Sequence, residues 1–106
     1  MTSAAMEHAA ALDVLDQDGL MLLGQTASEL GRWPVAVRAW GRAADLGGVS
    51  GGNCKLEQAR SLAHINVASA RDLARQLAVL HAGTALGDAA QGVADSLDRQ
   101  SSGGTP

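Results

Sequence analysis

The chain has 106 residues and a formal net charge of −3 at pH 7, and seven of its eight basic residues are Arg. That length suits one domain with a single modest core. Because no basic run exists, nucleic-acid binding, which uses a basic stripe, is set aside.

Ala and Leu, the best helix formers, supply most of the apolar residues, while the β-branched and aromatic residues that strands favour are scarce. An all-α fold is therefore expected, as a helical hairpin or small antiparallel helical bundle. No apolar run approaches the roughly 18 residues of a membrane span, and the longest, Gly19 to Gly24, is a fragment. The opening MTSAAMEHAAA lacks the positive n-region of a signal peptide, so a cleavable one is not expected. A single cysteine, Cys54, excludes an internal disulfide.

Residues 1–11 are Ala-rich and read as a flexible lead-in. From Leu12 through Leu15, Gly19, Leu22/Leu23 and Ala27 to Leu30, apolar and small residues recur at steps of three and four, the face of an amphipathic helix over about 14–30. Asp16 or Asp18 suits its N-cap, and Gly31 its C′ position. Pro34 then favours a break and a new helix rather than a kink, since proline is favoured in the first turn and disfavoured inside. Val35/Ala36, Ala39/Trp40, Ala43 and Leu46 give that second helix, about 34–46, its apolar face, and Gly47-Gly48 ends it.

Gly47 to Asn53, GGVSGGN, reads as the internal linker. Beyond it Leu56, Ala59, Ala63, Asn66, Ala70, Leu73, Leu77 and Leu80 keep the helical step, predicting a long second arm over about 54–97. Asn66 is expected on an exposed side of that arm, and Gly83 and Gly87 mark a weak point near 83–87. Residues 99–106, RQSSGGTP, read as a disordered tail.

Trp33 and Trp40 are the only aromatic residues apart from histidine. Both a core role and a partner-anchoring role fit, because tryptophan dominates small cores by area and interfaces by energy. Together with Leu73, Leu77 and Leu80 they are the expected partner-binding residues.

No catalytic set stands out. His8, His64 and His81 are too dispersed for metal-ligand spacing, GGVSGGN lacks the Lys-Ser/Thr pair of a phosphate loop, and Asp95 and Asp98 read as a solvated helix end. Cys54 beside Lys55 at a helix start reads as an ordinary thiol. No enzyme activity, metal or cofactor is expected.

Leu15 to Leu23, LDQDGLMLL, followed by Glu29-Leu30, resembles the opening of small ESX (type VII) secretion-associated helical proteins of the EspC-like and WXG type. Ala63-His64 with Val67, Ala70, Leu73-Ala74 and Leu77 resembles their second helix. Leu86 to Asp98 is similar to their Ala-rich end, and Trp40-Gly41 with Ala43-Ala44 to their central turn. The resemblance implies a non-enzymatic protein that pairs with another small helical subunit, as a hetero- or homo-oligomer. It also implies a secreted or cell-envelope location. The chain has no tyrosine for that family's export signal, a departure that puts direct export in doubt, although a partner carrying the signal could bring the chain along.

A second resemblance is shorter. Leu23-Gly24, Ala36, Trp40 and Ala43 stand at tetratricopeptide spacing, with Leu30-Gly31 at the mid-repeat turn. It implies a cytoplasmic helical adaptor or chaperone. A further copy is not expected, since position 20 of a next repeat is taken as Ala68 and its aromatic position as Asp72.

Overall fold

The structure, a computed structural model, describes residues 16–103. Among them are five helices and no strand: α1 Gln17–Glu29, α2 Trp33–Asp45, α3 Gly51–Leu62, α4 Val67–Leu80 and α5 Ala85–Gly103. The all-α small bundle expected from composition is what the chain forms. The lead-in over 1–11 and residues 104–106 lie outside the described residues.

The first two helices fall close to their expected places, and local chemistry explains their ends. Asp16 is the N-cap of α1, its carboxylate accepting from the Gly19 N–H at 2.8 Å, which satisfies one of the donors a helix start leaves free. At the other end Gly31 takes φ 72°, a backbone that only glycine adopts cheaply. The Arg32 N–H then reaches the Ala27 carbonyl at 2.8 Å and the Gly31 N–H reaches Ser28 at 3.1 Å, the paired closure of a Schellman end. Pro34 sits in the first turn of α2, as the break predicts.

The long second arm over 54–97 is not one helix. α3 ends at Leu62, the chain turns through residues 63–66, and α4 starts at Val67. Asn66 makes this break. It is the N-cap of α4, extended at φ −151° and ψ 102°, with its side chain accepting from the Ser69 N–H at 3.1 Å. It is exposed as expected, but as a helix start rather than on a helix side.

A second break at 81–84 lies at the anticipated weak point. Thr84 accepts from the Gly87 N–H at 3.1 Å and so caps α5. The helix edges also differ from those expected. Gly51, Gly52 and Asn53 belong to α3 rather than to a linker, and α5 runs on through Arg99 to Gly103, into the stretch read as a tail.

Each helix packs chiefly on its neighbours in sequence, and α3 also meets α5. The core comes in two parts. The first joins α1, α2 and the start of α3 through Leu20, Leu23, Ala27, Val35, Ala36, Ala39, Trp40, Ala43 and Cys54. The second joins α3, α4 and α5 through Leu56, Leu77 and Ala90, with Leu86 and Val93 packed against it. The shared α3 gives Cys54 to one cluster and Leu56 to the other.

The helix starts recur. α1, α3 and α5 begin at 17, 51 and 85, each 34 residues after the last, and α2 and α4 begin at 33 and 67, again 34 apart. Buried positions follow: Leu20 and Cys54, Ala27 and Ser61, Ala36 and Ala70, Trp40 and Ala74, Ala43 and Leu77 are pairs 34 apart, and every member is buried. A helix pair is thus laid down, repeated, and followed by a fifth helix.

Candidate interaction cleft

Two of the five expected anchors are buried, two are half-buried and one is exposed. Trp40 is 7 % exposed and Leu77 3 %, both taken up by the chain's own core. Trp40 lies on Gly24, where a Cβ would stand 2.7 Å from the indole, so the ring fills the space that glycine leaves. Leu73 is half-buried. Leu80 is exposed, beside Val79 and the stems of Arg75 and Gln76, in a shallow apolar patch of about 440 Å³ on α4. The five residues therefore do not form one surface.

Trp33 has a different role. It is half-buried at the start of α2, and its ring stacks on His64 with centroids 3.7 Å apart and planes 3° from parallel. His64 sits in the turn between α3 and α4, its N–H bonded to the Ser61 carbonyl at 3.1 Å. A residue of the first helix pair thus fixes a ring belonging to the second.

The free side of that turn opens on a cleft of about 500 Å³ between the end of α3 and α5. Arg60, Ala63 and His64 form one wall. Val93 and Leu97 form the floor of the other, where Ala89, Gly92 and Ser96 are small enough to leave room. The cleft carries basic and apolar groups and no acidic side chain. Arg60 bonds Glu57 at 2.8 Å, with the guanidinium side chain 53 % exposed, so this pair is weak and exchangeable. The sequence signals for this site were faint, because alanine and glycine at a helix surface look like filler.

Elsewhere polar contacts tie the helices to one another. Gln17 Nε2 donates to the Ala43 carbonyl at 2.9 Å and to Gly47 at 2.7 Å, joining α1 to the end of α2. Gln58 Nε2 donates to Val37 O at 3.3 Å, joining α3 to α2. Asp98 of α5 receives Arg75 at 2.7 Å and Arg71 at 3.4 Å, both from α4.

Cys54 is fully buried. Burial, with a smaller contribution from the Glu57 charge, pushes its thiol up from the usual 9.0, the reverse of what a nucleophile needs. Among the described residues no three His, Cys, Asp or Glu side chains gather as metal ligands. No helix there is long and apolar enough to cross a membrane.

No family model, curated protein or solved structure matches this chain. The 34-residue recurrence of helix starts sets which later positions correspond to those of the first helix pair. Counted 34 residues on from Ala36 and Trp40, the positions are Ala70 and Ala74, both fully buried, instead of the exposed Ala68 and Asp72. The aromatic is absent from the second copy, but the packing position is kept.

Proposed function

We propose that this chain is a non-enzymatic protein–protein interaction module, a short helical repeat of tetratricopeptide type that docks a segment of another protein in the α3–α5 cleft. The observation that carries this reading is the 34-residue recurrence of helix starts and buried positions, the period of that repeat class. Such repeats stack helix pairs so that each contacts its neighbours, and bind partners along the surface the stack creates. α5, whose outward residues Asp88, Gln91 and Asp95 are polar and exposed, suits the role of a terminal cap.

A second reading keeps the chain as a small type VII secretion-associated protein pairing with another helical subunit. The exposed Val79 and Leu80 favour it, since pairing would run over the outer face of α4.

Photo-crosslinkers at Ser96 in the cleft and at Gln76 on α4 separate the two. The repeat reading expects a defined partner captured from Ser96 and lost on Gly92→Asp, with helicity unchanged, because a side chain at Gly92 enters the cleft without meeting the core. Capture from Gln76 alone, lost on Leu80→Asp, supports pairing over α4 and overturns docking in the cleft.

A further inference from the structure

Resting on the cleft as the docking site, we propose that its occupant is a partner segment carrying an aromatic side chain beside an acidic group, the aromatic ring stacking on His64. One face of the imidazole is covered by Trp33 in a parallel stack at 3.7 Å. The residue is exposed and lines the cleft, so its other face is open to a planar group. A ring inserted there continues the stack Trp33–His64 and sets its body on Val93 and Leu97, which offer only aliphatic contact. The chain has no Phe or Tyr and its second Trp is buried, so the ring comes from the partner.

Charge selects the neighbouring group. Arg60 stands on the same wall as His64, and the cleft holds no acidic side chain. A carboxylate entering beside the ring meets Arg60, whose exposed pairing with Glu57 exchanges at little cost. An aromatic anion satisfies both walls, whereas a cation meets repulsion and an aliphatic anion leaves the imidazole face unused.

The test uses the full chain and two probes of equal charge, phenylacetate and cyclohexylacetate, titrated while NMR signals of His64, Val93 and Leu97 are followed. Saturable shifts at all three are expected with phenylacetate, and binding about threefold or more weaker with cyclohexylacetate, the scale of an aromatic pair. In His64→Gln the two probes are expected to bind alike, with the Val93 and Leu97 signals in place as evidence that the fold is kept. Equal binding of both probes to the unaltered protein overturns the aromatic preference while leaving the cleft as a docking site. Absence of saturable shifts at these residues overturns the proposal, whereas the crosslinking pattern is what decides the broader reading.

Discussion

The two helix pairs use the same positions with different residues. In the first pair a large ring, Trp40 on α2, lies on a glycine, Gly24 on α1. In the second the corresponding positions are Ala74 on α4 and Gln58 on α3, and Gln58 turns to α2 instead, where it packs on Gly41 and bonds Val37. Without a ring, the second pair rests on Leu56, Leu77 and Ala90 and on the Asp98 contacts to Arg71 and Arg75. The difference teaches that a repeat is kept by backbone spacing and burial, while the side chains filling it are exchangeable. It also explains where stability is concentrated: an aromatic ring removes far more apolar surface from water than an alanine.

Breaking that comparison at its larger end comes first. Trp40→Ala leaves a ring-sized hole, and a loss of about 3–5 kcal/mol is expected, read as a fall in the urea midpoint. Ala74→Gly, 34 residues on, is expected to cost far less, roughly 1 kcal/mol from helix propensity. Equal losses would mean that the two pairs are not different in the way described.

Gly24→Ala works from the other side of the same contact. Its Cβ meets the buried indole at 2.7 Å, and overpacking of this kind costs about 1–3 kcal/mol. Since alanine otherwise favours helices, a stabilised variant in thermal melts would refute the close packing.

Asn66→Ala removes the cap that starts the second copy, at an expected cost of about 1 kcal/mol. Hydrogen exchange should quicken first at Ser69, whose N–H the cap holds.

Asp98→Asn is expected to lower stability by under about 1 kcal/mol, because the carboxylate is 39 % exposed and such pairs are screened. The loss should vanish in high salt.

The smallest effect is confined to alkaline pH. Cys54 has its pKa raised on folding, so the thiol's contribution is fully present below the ordinary value of 9.0. It is lost as pH rises through the folded value, because the unfolded chain ionises first. Wild-type protein should therefore lose stability above pH 9 more steeply than Cys54→Ala.

Much of the first pair was legible because its boundaries are punctuated. Pro34, Gly31 and Gly47 each dictate a backbone, and Asp16 was one of two acidic caps in view. The break at 63–66 carries no Gly or Pro. It depends on Asn66, which occupied a position that also fits a continuous three–four step, so periodicity alone merged α3 and α4. The second copy stayed hidden because Ala70 and Ala74 contribute burial without bulk, and no pattern of large residues betrays them. For the site, the Trp33–His64 stack joins residues 31 apart across a turn that the single-arm reading did not contain.

The most direct test of the repeat is the distance between spin labels at Lys55 and Gln76, introduced as cysteines in a Cys54→Ala background. Their neighbours Leu56 and Leu77 share one core cluster, so the labels should lie about 10–20 Å apart, the span of two packed helices and their labels. A single continuous arm would separate the same sites by about 30 Å at 1.5 Å per residue. The short distance is expected; the long one would contradict the fold and the repeat together.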